Sequence, residues 1–128
     1  MLEITSIYAA LIALVFLWLS GRVIVYRRKH RISLGANGDN SLLKRMRAQS
    51  NCAEYAPFGL LLLALIEVSG APASAIHALG LMLLIGRAAH AWGFSASPPV
   101  MNARVFGMVL TLLMFIASAL GLLLHSLF

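Results

Sequence analysis

The stretch LLKRMRAQSNCAEYAPFGLLLLALIE, Leu42 to Glu67, decides the fold. Its first half is polar and charged, its second half is nearly all hydrocarbon, and the pattern is helical throughout, with Pro57 at the boundary. A helix of this length, rising about 1.5 Å per residue, outruns a bilayer hydrocarbon core of about 30 Å. The apolar half therefore reads as a membrane crossing. The polar half reads as a helix that projects into water or lines a protein-walled cavity. Pro57 has no backbone donor, so a kink is expected where polar gives way to apolar.

Working outward, the flanking segments imply the same solvent. Upstream, Ile4 to Tyr26 contains ALIALVFLWLSG and no acid, with Arg22 near its end and able to snorkel toward the interface. The linker RRKHRISLGANGDNS, Arg27 to Ser41, is a basic polar loop whose Asn40 or Ser41 is the expected N-cap of the second helix. Downstream, the turn SGAPAS, Ser69 to Ser74, carries no charge, and SASPPVMN, Ser95 to Asn102, breaks the helix with Pro98 and Pro99. The expectation is one all-α domain over 1–128, an integral membrane four-helix bundle with spans near 4–26, 42–67, 75–94 and 103–125. The first loop is strongly basic, Arg87 and Arg104 flank the third, and the second has no Lys or Arg. The positive-inside rule then puts the first and third loops in the cytoplasm and both termini opposite. No basic residue precedes the first span, which also exceeds a signal core of about 7–15 residues, so it reads as retained. The compact loops point to a bacterial inner membrane.

Composition agrees. Of 128 residues, 61% are hydrophobic and 11% are charged, against about 25% charged in soluble domains. So little polar surface cannot dissolve a small globule in water. The net charge is +6, and most of the basic residues fall between Arg22 and Arg47. That block is enclosed by apolar runs and has no aromatic platform for stacking bases, which argues against nucleic acid and for a membrane-flanking loop with headgroup contacts. The single cysteine, Cys52, excludes an intrachain disulfide and reads as a packing residue. His30, His77 and His125 are scattered and show no metal-ligand spacing.

Ionisable residues at membrane depth carry the chemistry. Arg47, Asn51 and Glu54 are spaced i, i+4, i+7 on one helix face, with Tyr55 turned by about 100° onto the adjoining one. Arg87, His90 and Phe94 form a second stripe at i, i+3, i+7, and Arg104 lies at the same depth. A charge at the bilayer centre costs about 2.5–3.5 kcal/mol on insertion scales, so such groups persist when paired or wet. Glu54 is expected to face several guanidinium groups and neutralises about one of them. The remaining positive charge calls for an anion from outside the chain. Arginine grips carboxylates in a bidentate fork, so a small carboxylate-bearing ligand is the natural guest. Each feature also has a plainer reading: an Arg47–Glu54 tie between helices, a His90 satisfied by a neighbouring helix, a Tyr55 anchored at the interface. Glu67, at the far end of its helix, reads as interfacial.

The stretch RMRAQSNCAEYAPF, Arg45 to Phe58, resembles the signature of the MAPEG family, the membrane-associated proteins of eicosanoid and glutathione metabolism. Its core is Arg47-Ala48, Asn51, Glu54, Tyr55 and Pro57. GRAAHAWGF, Gly86 to Phe94, is similar to the family's second block, with Arg87 and His90 in place. The resemblance implies a homotrimer of four-helix protomers and, in enzymatic members, glutathione bound as a co-substrate between protomers. By position it assigns Arg47, Asn51 and Glu54 to the polar ends of glutathione, His90 to a third-helix contact, and Arg27 or Arg28 to a contribution from the first helix. Tyr55, Arg87 and Phe94 complete the implied binding set, and Arg104 becomes the thiol activator. The implied activity is transfer of glutathione to lipophilic electrophiles. Phe94 stands where many enzymatic relatives have tyrosine, which favours the alternative of a non-catalytic lipid-binding or scaffold member. A small four-span exporter would carry an acid within its first span, whereas Glu3 lies before it.

Overall fold

A computed structural model describes residues 1–128. It contains four helices and no strand: α1 (Glu3–His30), α2 (Asn40–Val68), α3 (Ala73–Ser95) and α4 (Met101–Leu127). All four are long and apolar enough to cross a membrane. Each extends a few residues beyond the span expected from sequence, because helical hydrogen bonding continues into the polar flanks where hydropathy has already faded. α2 runs through Pro57 without interruption.

α2 and α3 form the centre of the bundle and pack on each other. α1 lies against both, α4 lies against both, and α1 and α4 do not meet. Tyr8, Ile12 and Leu19 of α1, Cys52, Ala56 and Leu63 of α2, Leu83 of α3 and Met114 of α4 share one core. Cys52 is a buried packing residue, as its type suggested. Only 25 of the 128 residues are buried, and Leu14, Leu17, Leu61, Ile116 and Leu120 stand exposed on the outside. An outer surface of this kind is stable only against hydrocarbon.

Polar side chains fasten the two ends of the bundle. Leu2, at the start of α1, offers no side-chain cap. Glu67, from the last turn of α2, takes over: its carboxylate accepts from Ile4 N at 2.9 Å, Thr5 N at 2.7 Å and Thr5 Oγ1 at 2.6 Å. It thereby satisfies orphan donors and meets the positive end of the α1 dipole. Glu67 is therefore a long-range cap as well as a residue near the interface. At the opposite end, cations close the C-terminus of α3. Arg22 Nη2 donates to Ser95 O at 3.3 Å and Lys44 Nζ donates to Ala96 O at 2.6 Å, which complements the negative helix end.

The N-cap of α2 is Asp39, one residue before Asn40 and two before Ser41, the expected caps. Its extended backbone (φ −80, ψ 103) swings the carboxylate over the first turn, where Oδ1 accepts from Leu42 N at 3.0 Å and Oδ2 from the Tyr26 hydroxyl at 2.9 Å. These two bonds, the backbone one first, hold the Asp39 carboxyl below its ordinary range. Arg27 orders the rest of the loop by donating to Gly35 O at 2.9 Å and Ile32 O at 3.3 Å.

Glu67→Ala should lower the melting temperature measured by circular dichroism in detergent, because no residue at the start of α1 replaces the lost cap. Asp39 has the usual carboxylate sign. Its contribution is present above the unfolded value of about 3.9 and is lost as pH falls through the lower folded value. Melting temperature should therefore drop more steeply from pH 5 to pH 3 in the wild type than in Asp39→Asn; parallel slopes would refute the assignment.

Candidate functional site

The site forms toward the end of the bundle that carries the first and third loops, around Arg87. This guanidinium is 1% exposed, and the protein surrounds it. Nε donates to Thr111 Oγ1 at 3.0 Å, Nη1 to Asn51 Oδ1 at 2.6 Å and Nη2 to Gly107 O at 3.5 Å. Its carbon lies 5.3 Å from the centre of the Tyr55 ring, within reach of a cation–π attraction. A charge this deep in an apolar bundle is tolerable only when so enclosed.

Close approach of α3 and α4 makes the enclosure possible. A Cβ on Gly107 would meet Gly86 O and would lie 2.6 Å from His90 N; one on Gly86 would lie 2.6 Å from Thr111 Oγ1. Both glycines are therefore required by contact rather than by backbone freedom. Gly107 and Thr111, an i, i+4 pair of small residues, went unnoticed in the sequence. The small-xxx-small spacing was the signal that could have found them.

Arg87 also fixes the orientation of Asn51. A guanidinium can only donate, so Asn51 must turn its oxygen inward. Its amide N–H₂ then points away from Arg87. The residues flanking Asn51 on the same stripe face outward: the Arg47 and Glu54 side chains are 58% and 54% exposed, with Nη1 and Oε1 4.0 Å apart. This corrects one expectation. Glu54 meets a single guanidinium, loosely, and the carbonyl and amide oxygens of neighbouring helices satisfy Arg87 instead. An interior amide and hydroxyl neutralise nothing, but they cost far less to bury than a second charge.

His90 is buried, with its ring centre 5.7 Å from that of Phe94. The Arg104 guanidinium carbon lies 3.9 Å from the centre of the Phe94 ring. Arg104 Nε is buried and has no hydrogen-bond partner. The structure thus brings Asn51 and Tyr55 of α2 against Arg87, pairs Arg47 loosely with Glu54 on the exposed side of the same helix, and groups His90, Phe94 and Arg104 through ring contacts. Arg27 and Arg28 stand apart on α1. Arg27 is committed to the loop, whereas Arg28 is exposed beside Arg31.

Four apolar helices with an arginine-centred polar site at one end define an integral membrane protein of a recognisable class. The MAPEG family profile matches residues 5–124, and the chain belongs to that family. It is 33% identical to the inner membrane protein YecN of Escherichia coli K12 over 91 residues, 71% of this chain and 70% of that protein. It is 35% identical to the leukotriene C4 synthase of Cavia porcellus over 114 residues, 86% of this chain and 74% of the synthase.

Asn51→Ala would leave the buried Arg87 one partner short and should cost about 1.5–3 kcal/mol, the range for hydrogen bonds to charged groups. Gly107→Ala should cost about 1–3 kcal/mol through overpacking. Thermal unfolding of the purified variants checks both.

Proposed function

We propose that this protein is a glutathione-dependent transferase of a bacterial inner membrane that joins glutathione to lipophilic electrophiles. It works as a homotrimer with the site between protomers and the first and third loops in the cytoplasm. One observation carries the reading: Arg47 and Glu54 stand more than half exposed on the outside of a membrane bundle, while Arg104 Nε is buried without an acceptor. Unmet charge on a lipid-facing helix calls for cover by a neighbouring protomer and an acidic guest. Glutathione, with two carboxylates and one ammonium, matches a set richer in guanidinium than in carboxylate. The family membership and the likeness to a leukotriene C4 synthase support the same chemistry.

In this proposal Glu54 accepts the ammonium and Arg47 takes a carboxylate. Asn51 offers its outward amide N–H₂. Arg87 is a positioning residue, since its donors already hold Asn51 and Thr111. Tyr55 and His90 shape the wall, and Arg28 of an adjacent protomer supplies further positive charge. Arg27 stays with its loop. Arg104, held over Phe94, faces the thiol. A free thiol has a pKa of about 8.5, and a nearby cation lowers it. A drop of about two units corresponds to roughly 2.7 kcal/mol and makes the thiolate dominant at neutral pH. The thiolate sulfur bonds to the electrophilic carbon, the leaving group or the opened ring takes the electron pair, and the thiol proton goes to water. The electrophile enters from the bilayer between helices.

Phe94 supports a second reading, a non-catalytic lipid-binding member, because it offers Arg104 a ring face and no hydroxyl. Titration calorimetry of the purified protein with glutathione separates the two: millimolar or tighter binding, weakened about tenfold or more in Glu54→Gln, is expected for the transferase, and no binding at millimolar ligand removes it. In a conjugation assay with a chromogenic aryl halide, Arg104→Ala should lower turnover more than affinity.

A further inference from the structure

A second cationic site lies away from the first, on the outer face of α1, against α2 in its lower part and against α3 in its upper part. Its lower part is a cavity of about 550 Å³ lined by Trp18, Gly21, Arg22, Tyr26, Lys29 and Arg45, together with His30. Its upper part is an apolar trough of about 320 Å³ formed by Leu14, Val15, Trp18, Ala88 and Ala91. Trp18 lines both, so the two parts adjoin at its indole. Arg22 lies one helical turn below it, roughly 6 Å along the axis, with its guanidinium carbon 5.2 Å from the Trp18 ring. Arg45 lies 4.3 Å over Tyr26, whose other neighbour is the stacked His30 ring at 4.1 Å.

The cations here outnumber the carboxylates near them, and none forms a salt bridge. The sequence holds four acids. Glu3 and Glu67 belong to the far end of the bundle, and Glu54 is paired with Arg47 on the outer face of α2. Asp39, the nearest, accepts from Leu42 N and the Tyr26 hydroxyl and offsets one positive charge among Arg22, Lys29, Lys44 and Arg45. Arg22 and Lys44 reach main-chain carbonyls of the α3 terminus, which supply partial charge only. The groove therefore has the profile of an amphiphile: an apolar channel at membrane depth, a tryptophan at the level where indole rings settle, then surplus positive charge at the headgroup level.

We propose that this groove is a binding site for an anionic diacyl phospholipid. The phosphate sits among Arg22, Arg45 and Lys29, and an acyl chain lies along Leu14, Ala88 and Ala91. Arginine forks suit phosphate oxygens, and the small side chains of Ala88, Ala91 and Gly21 leave the room that the chain and glycerol need. The site does not depend on glutathione chemistry and is expected whether or not the protein is a transferase.

The test uses the two tryptophans. Trp92→Phe leaves Trp18 as the single reporter, in protein reconstituted into phosphatidylcholine vesicles doped with lipid brominated on its acyl chains. Brominated phosphatidylglycerol should quench Trp18 at a mole fraction at least threefold lower than brominated phosphatidylcholine. Lys29→Gln/Arg45→Gln removes no hydrogen bond between helices, only the Arg45 contact with the Tyr26 ring, so the fold should persist; the preference should vanish, and Arg22→Gln should reduce it. Equal quenching by the two lipids, or a preference that survives the double substitution in protein of unchanged helicity, would overturn the proposal. Inorganic phosphate exchanged for chloride at constant ionic strength should leave the preference intact. If phosphate erased it, the occupant would be a free anion and the lipid assignment would fail.

Discussion

One guanidinium governs the architecture. Arg87 is placed where hydrocarbon surrounds the protein, and its charge cannot be discarded. The bundle must therefore supply polar oxygens at that depth without adding a second buried charge. Asn51 comes from α2, Thr111 and the Gly107 carbonyl come from α4, and Arg87 itself comes from α3. The requirement fixes the rotation of three helices about their axes. It also dictates glycine at positions 86 and 107, since a Cβ there would meet backbone atoms of the facing helix, the Thr111 hydroxyl or the His90 Cβ, none of them the far end of a flexible side chain.

The ends of the bundle follow a related logic. In lipid, apolar packing between helices gains little from the hydrophobic effect, so polar contacts and close packing carry more of the specificity. Glu67 ties α1 to α2 at one end. Arg22 and Lys44 tie α1 and α2 to α3 at the other. Each contact pairs a side-chain charge with a helix terminus of opposite sign, an arrangement that satisfies orphan backbone groups without burying an ion pair.

The same constraint divides the chain's positive charge by task. Arg87 is interior and structural. Arg27 organises a loop. Arg47 and Arg104 are left with weak partners or an open donor, and the cations around Trp18 have none of opposite formal charge. A protein with ten basic and four acidic residues cannot neutralise itself. Where the surplus lies on a membrane surface, anionic ligands and lipids are the available complements. The two outward-facing sites differ in make-up: one is built around a loose ion pair, and the other adjoins an apolar trough.

By itself the sequence determined the solvent, the helices and the family. Hydropathy runs need only local composition, and the stripes Arg47–Asn51–Glu54 and Arg87–His90–Phe94 need only the helical period; in three dimensions Arg47 and Glu54 face outward, Asn51 turns in to Arg87, and Arg87 and His90 are buried. Tertiary structure decided who pairs with whom. That Arg87 goes to Asn51 rather than Glu54, that Glu67 caps a helix 62 residues away, and that Asp39 rather than its neighbours caps α2 all depend on how the helices rotate and dock. Periodicity places a residue on a face, but the partner across that face comes from another helix, and the relative rotation of two helices is set by close packing that no single segment encodes.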